Sequence, residues 1–356
     1  MNSKKITDML LCTTPKGSKV YSNGYLYKAT TPSGLNMFCN VFSLQLLRHL
    51  CVPCSFIFFL FIYSCNNSTI NSDSPTDTTT SGEVNIVVDE GYRPLFETEI
   101  FTFESLYTRA HVHVKYKNET EALNDVLNDS CKVAVINRDL TEEEKKYFES
   151  KNLYPKSTKI AEDAVAFVVN NGNSDTNITY VNIMCLISGA DTSWQQVNPK
   201  SKLKKPQIIF DNSGSANAKY IANFNKDPHL PKNSFAVNSN SEVIEYVSDN
   251  PSAIGVISVN WISDRDDSLT MKYLKMVKVA GISSFADTSK YFKPYQAYIK
   301  TKEYPFTRDV YMINRQTRAG LGMGFVSFVA GDAGQRIILK MGLIPAIAPT
   351  RVVKFN

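Results

Sequence analysis

The chain has 356 residues, 43% hydrophobic and 21% charged, a composition that excludes both a disordered polyelectrolyte and a polytopic membrane protein. Its formal charge of +5 is confined to the front: residues 1–64 carry six basic side chains against Asp8 alone, and residues 65–356 hold 33 of each sign. A body without basic excess cannot drive counterion release from a polyanion, which argues against nucleic acid as partner, and seven Cys are too few for a disulfide scaffold.

Leu50 to Tyr63 (LCVPCSFIFFLFIY) is uncharged, has Arg48 as its positive flank, and matches the apolar core of a signal peptide. It is shorter than the roughly 20 residues that span a bilayer comfortably. Ser64-Cys65 follows, and the composition then changes to a Ser/Thr/Asn/Asp-rich run. An apolar stretch, a small residue, Cys and a polar tether together resemble the lipobox of bacterial lipoproteins, although Tyr63 stands where a small residue is usual. That resemblance implies lipidation of Cys65, removal of residues 1–64 as extension and signal peptide, and a flexible tether over 65–82. Met37 opens a more ordinary signal peptide than Met1 and is the expected start. Cys51-Val-Pro-Cys54 lies inside the apolar run without a second Cys pair and reads as coincidence, while Cys131 and Cys185 sit in apolar contexts as buried thiols.

The body alternates strands and helices. Val84–Val88 is a β-branched strand, Pro94 suits the first turn of a helix reaching Leu106, and His111–Tyr116 alternates with period two. A helix over 119–128, a strand over 132–136 and a helix opened by the capping box Thr141–Glu144 come next. Asp163–Asn170 is a buried strand. A helix at 181–187, a strand at 207–210, helices at 216–224 and 242–248, and strands at 253–257 and 276–280 form a second set. Elements at 298–301 and 309–313 and helices at 325–330 and 333–341 close the chain. Such alternation predicts an α/β fold with largely parallel sheets.

Three strands end in polar loops that start helices, at Asp89–Pro94, Asn137–Thr141 and Asp211–Asn217. Helix N-termini with unpaired N–H groups bind anions without a lysine, and in parallel sheets such loops gather at the carboxyl edge. Ser213-Gly214-Ser215 is the sharpest of the three. His111-x-His113 has no third ligand in view, so no metal or cofactor is expected. Gly320-Leu-Gly-Met-Gly324 lacks the spacing of a nucleotide loop and reads as a flexible entry to the last helices.

Eight segments resemble the substrate-binding proteins of phosphate ABC transporters: VVDEGYRPLFETEIFTFESLY, NRDLTEEE, KIAEDAVAFVVN, IIFDNSGSANAKYI, NPSAIGVISVNWI, PYQAYI, YPFTRDVYMI and GFVSFVAGDAGQRIILKMGLIPA. Together the resemblance they carry extends over essentially residues 84–351. The resemblance implies a two-lobed type II periplasmic-binding fold with two crossover strands as a hinge, near 167–170 and 300–305. Lobe 1 is then 83–166 plus 301–356, and lobe 2 is 167–300. It further implies a monomeric, periplasmic, lipid-anchored receptor for phosphate or a similar oxyanion, feeding an ABC transporter permease and performing no chemistry. Carried onto this chain, the ligand-binding positions are Glu90, Gly91, Tyr92, Asn137, Arg138, Ser213, Gly214, Ser215 and Asn217. The arginine usual four residues before Ser213 is replaced by Ile209, which leaves Arg138 as the expected guanidinium and Glu90 as the expected proton acceptor. A receptor for another small anion, a secreted lipoprotein enzyme and a ligand-free signalling lipoprotein are the alternatives.

Overall fold

The computed structural model describes residues 77–350, apart from 191–192, 225–229, 231, 286 and 317. The expected signal segment, Met37, Cys65 and most of the tether lie outside the described residues. What is described belongs to one compact unit, Ile70–Asn356.

The first set of elements is β1 (Ser81–Asp89), a 3-10 turn at Glu90–Tyr92, α1 (Arg93–Leu106), β2 (Arg109–Lys117), α2 (Glu119–Leu127), β3 (Val133–Ile136), α3 (Glu142–Ser150) and β4 (Lys156–Asn170). Local chemistry sets the helix starts. Pro94 occupies the first turn of α1. The capping box at α3 is complete, with Thr141 Oγ1 accepting from the Glu144 N–H and the Glu144 carboxylate accepting from the Thr141 N–H. β1 is flanked by parallel β2 and β3, the arrangement expected of strands joined by helical crossovers.

The second set is β5 (Asn177–Ile178), α4 (Tyr180–Ser188), α5 (Trp194–Val197), β6 (Gln207–Phe210), α6 (Ala216–Ala222), β7 (Ser234–Ala236), α7 (Asn240–Asp249), β8 (Ala253–Ser258), α8 (Ser268–Met276), β9 (Val277–Val279), β10 (Gly281–Ser283), β11 (Tyr291–Phe292) and α9 (Gln296–Lys300). Here β6 lies between parallel β7 and β8. The chain then returns through β12 (Thr307–Asn314), α10 (Leu321–Ala330), α11 (Asp332–Lys340) and β13 (Ile344–Pro345).

The main sheet runs β2-β1-β3-β12-β4-β8-β6-β7, and it departs from the largely parallel expectation at its centre. β12 is antiparallel to β3 and β4, and β4 is antiparallel to β8. β4 is shared. Its residues up to Ala164 pair with β12, and from Val165 onward they pair with β8. The cores divide at the same place: Ile160 and Ala161 pack with β1, α1 and α10, while Ala164–Val169 pack with β6, α7 and β8. In the first core Phe103 meets Tyr107 and Phe325 edge-on, with ring centroids 5.0 and 5.2 Å apart. In the second core Trp194 is fully buried, and its indole N–H donates to the Ser252 carbonyl at 3.0 Å.

Gly320–Gly324 has a packing role where flexibility was expected. A Cβ at Gly324 would lie 1.8 Å from the Thr79 carbonyl oxygen, so the chain entering β1 rests directly on the α10 backbone. Gly324→Ala should therefore cost about 2 kcal/mol by overpacking, read as a lowered urea midpoint at constant m. An unchanged midpoint would show that the Thr79 segment does not sit on this helix.

Candidate functional site

The site is organised around a residue on β12. Along this strand Arg308, Val310 and Met312 face inward, while Thr307, Asp309 and Tyr311 are half-exposed. Directly opposite Arg308 in the antiparallel register stands Asp163 of β4, two residues before that strand changes partners at Val165. Arg308 Nε and Nη2 donate to Asp163 Oδ2 at 3.0 and 2.8 Å, and Nη2 also donates to Ser258 Oγ at 2.5 Å. All three residues are buried. The guanidinium carbon lies 5.6 Å from the Tyr92 ring centroid and 5.9 Å from that of Tyr220. Arg308 Nη1, Asp163 Oδ1, the Tyr92 hydroxyl and Asn217 Oδ1 are buried without a hydrogen-bond partner among the described residues. Leaving a charged donor in that condition costs more than the 1–3 kcal/mol typical of neutral groups, so these atoms suit a polar ligand.

The first loop follows β1. Asp89 Oδ1 accepts from the Gly91 N–H at 2.9 Å and tightens the 3-10 turn, which buries Gly91 and Tyr92. A Cβ at Gly91 would lie 2.8 Å from Ser258 Oγ, so glycine permits the two halves to touch here. Trp261 Nε1 donates to the Gly91 carbonyl at 3.1 Å from the other side. The third loop follows β6. Ser215 Oγ donates to Asp211 Oδ1 at 2.7 Å and accepts from the Ala218 N–H at 3.1 Å, capping α6. Asp89 Oδ2 accepts from the Ala216 N–H at 3.4 Å.

Asn240, at the start of α7, joins the loops. Its Nδ2 donates to Glu90 Oε2 at 2.6 Å and to Asp211 Oδ2 at 3.1 Å. Its Oδ1 accepts from the Ser258 N–H at 3.1 Å and from Asn217 Nδ2 at 3.3 Å. Both amide protons and both lone pairs are thus used, and the side chain can have only one orientation.

Burial sets the protonation of the acids. It pushes the Asp89 carboxyl up to about 8, with the neighbouring Asp211 charge adding to the effect. It raises Glu90 to about 7 against the opposing hydrogen bond from Asn240. Asp211 is also raised by burial, opposed by its bonds to Ser215 and Asn217. Near neutrality Asp89 and Glu90 can therefore donate as well as accept. No group of three or more His, Cys, Asp or Glu side chains suited to a metal occurs among the described residues. His113 is exposed, with Nε2 3.4 Å from Glu83 Oε2.

Of the residues singled out in the sequence, Glu90, Gly91, Tyr92, Ser215 and Asn217 come together in this network. Asn137 reaches it from the second loop through Nδ2, 3.4 Å from the Ala216 carbonyl. Gly214 lies beside it, with its N–H bonded to Asn212 Oδ1 at 2.8 Å and its Cα facing Asn118. Two placements correct the expectation. The Arg138 guanidinium is occupied by Glu144, at 2.8 and 2.9 Å, and by Glu119 at 3.2 Å, so the arginine of the cluster is Arg308. Ser213 is turned to solvent at the tip of its loop, because Ser215 is the residue that caps α6. Sequence reasoning passed over Arg308, Asp163, Asn240 and Ser258, and named Asp89 and Asp211 only as the first residues of their loops. The alternation Arg308-x-Val310-x-Met312 was the available signal, since it places an arginine on an apolar face.

Arg308→Ala leaves Asp163 charged and buried, and should cost about 3–5 kcal/mol in denaturant unfolding. Adding Asp163→Asn should recover a large part of that loss in a double-mutant cycle. Strictly additive losses would show that the two residues do not act as a pair.

Residues 73–333 match the family described as the PBP superfamily domain. The phosphate-binding protein PstS of Borreliella burgdorferi is 24% identical over 263 residues, spanning 70% of this chain and 85% of that protein. PstS of Staphylococcus saprophyticus is 25% identical over 216 residues, spanning 59% of this chain and 63% of that protein. Among solved structures, a protein from Clostridium perfringens described as a phosphate ABC transporter substrate-binding protein with bound phosphate superposes with a TM-score of 0.63 at 19% identity, covering 75% of this chain and all of that one. An ABC-type phosphate transport receptor from Vibrio cholerae gives a TM-score of 0.56 at 20% identity over 74% of this chain. The chain adopts the two-lobed type II periplasmic-binding fold.

Proposed function

The chain belongs to the PBP superfamily, and on that premise we propose that it is an extracytoplasmic receptor for phosphate or a closely related oxyanion, which it delivers to an ABC transporter permease. The observation that carries this reading is the buried Arg308 guanidinium, whose Nη1 has no partner within a cluster of hydroxyl, amide and carboxyl groups. Nε and Nη2 are committed to Asp163 and Ser258, so the two N–H groups of Nη1 are the charged donors left for an oxyanion. The curated relatives carry the name phosphate-binding protein, which favours phosphate among the oxyanions. In this reading the protein binds and releases without chemistry, and the cleft closes around the anion between lobes 83–166 plus 301–356 and 167–300. The partner change of β4 between Ala164 and Val165 supports that division. Tyr92, Ser215, Asn217 and Asn137 line the ligand with Arg308, and Asp89 in its ionised form accepts the proton of hydrogen phosphate. Fully ionised sulfate offers no such proton and meets like charge there. The lipid anchor at Cys65 and a monomeric state belong to the same proposal.

Titration calorimetry of the chain with inorganic phosphate tests it: saturable binding is expected, with sulfate much weaker. Arg308→Lys keeps the charge but cannot hold Asp163 and Ser258 while also offering the free Nη1 donors, and should weaken phosphate at least about tenfold. Arg138→Ala should change affinity by less than about threefold, since its guanidinium is taken up by Glu144 and the buried Glu119 rather than by the Arg308 cluster. No heat with phosphate, or equal loss in both variants, would overturn the assignment. For the anchor, Cys65→Ala should move the protein from the membrane fraction to the soluble one, and unchanged partitioning would contradict lipidation.

A further inference from the structure

Two carboxylates that approach from opposite lobes end on one nitrogen. Glu90 leaves the end of β1 and Asp211 leaves the end of β6, yet Asn240 Nδ2 donates one proton to each, at 2.6 and 3.1 Å. The Asn240 backbone N–H adds a third bond, to Glu90 Oε2 at 3.2 Å. Two oxygens bonded to a single nitrogen are close neighbours, so two full negative charges would meet in a largely buried site. Glu90 is carried by β1 and Asp211 and Asn240 by β6 and α7, so a hinge between these two sets of elements would separate the pair.

Resting on the reading of the cleft as an oxyanion site, we infer that Glu90 and Asp211 form a one-proton latch: closure brings both carboxyls onto Asn240 and takes up one proton, so oxyanion capture is gated by pH.

The surroundings leave little else to neutralise the pair. Glu90 is faced by Arg93, whose Nε is 3.7 Å from Oε1 and which is itself more than one third exposed, by Tyr273 of α8, and by Asp89 beside it in the chain. Asp211 is faced by Ser215, Asn217 and Asn240, with Asp89 across the cleft and Arg308 as the nearest buried cation. Arg308 is already matched by Asp163. Burial holds Glu90 at about 7 in the closed cleft. Open to solvent it returns to the ordinary carboxyl range, so its folded value is raised. The contribution to closure is complete below that ordinary range and is lost as the pH rises through about 7.

Phosphate affinity is to be measured by calorimetry on the full chain and on Glu90→Gln across about pH 5 to about pH 8, in buffers of different ionisation enthalpy. Phosphate's own titration is common to both proteins and cancels in the ratio of dissociation constants. Parent over variant, that ratio should rise by up to about tenfold per pH unit to near pH 7 and then level off. Near pH 6 the parent should take up close to one proton more than the variant. Asp211→Asn should flatten the profile in the same way, which covers a Glu90→Gln protein that fails to fold. A ratio that stays constant with pH, together with equal proton uptake, overturns the latch. Absence of phosphate heat in the parent at every pH overturns the oxyanion reading alone. The latch is then decided by Trp261, which bridges to the Gly91 carbonyl across the cleft. Its emission should titrate with pH in the parent and not in Glu90→Gln, and identical titrations would sink the latch.

Discussion

The guanidinium of Arg308 and the carboxylate of Asp163 meet across two neighbouring antiparallel strands, and both are withdrawn from water. Desolvating two such ions costs several kcal/mol each, which only close geometry and further hydrogen bonds offset. Here the geometry comes from strand register, since the two residues are direct ladder partners. The price is met incompletely by design: Asp163 Oδ2 takes both donors, and Oδ1 and Nη1 are left to other partners. Ser258 is fixed by the same guanidinium, Asn240 by Ser258, and Glu90 and Asp211 by Asn240. The order of the cleft thus descends from one ion pair placed where β4 passes between lobes.

On the proposed reading, that arrangement lets a body with equal numbers of acids and bases serve an anion without recognising it by surface charge. One desolvated guanidinium in a low-dielectric pocket interacts far more strongly than several lysines screened by salt. The surrounding acids would oppose an anion if all were ionised, but burial raises Asp89 and Glu90 so that they are only partly ionised near neutrality. Proton occupancy, rather than a change of side chains, is then the variable that sets the local charge.

Local features were readable in the sequence because their causes are local. Thr141 and Glu144 are three residues apart and cap their own helix, and the alternation at His111–Tyr116 belongs to one strand. The loops after β1 and β6 were likewise visible from Asp-Glu-Gly-Tyr and Ser-Gly-Ser. What was not visible depended on register and on distant partners. Arg138 and Arg308 are equally plausible guanidinium donors in one dimension. Only the fold shows that Glu119 and Glu144 occupy the first, while the second stands opposite Asp163. The antiparallel centre of the sheet escaped for the same reason: helix–strand alternation reports crossovers within each lobe, not the direction of the two strands that link them.

The shared strand also bears on the order in which the molecule is made. Asp163 and Arg308 are separated by 145 residues, and nearly all of the second lobe lies between them. During synthesis that lobe can collapse on its own core as soon as it has emerged, whereas the first lobe must wait for β12 to fill the gap between β3 and β4. Until then Asp163 stays at an open sheet edge, hydrated and without its counter-ion. The Arg308 cluster is accordingly among the last parts to exist, and a chain cut short before residue 308 would carry an unpaired sheet edge, an uncompensated Asp163 and a second core still missing Ile344.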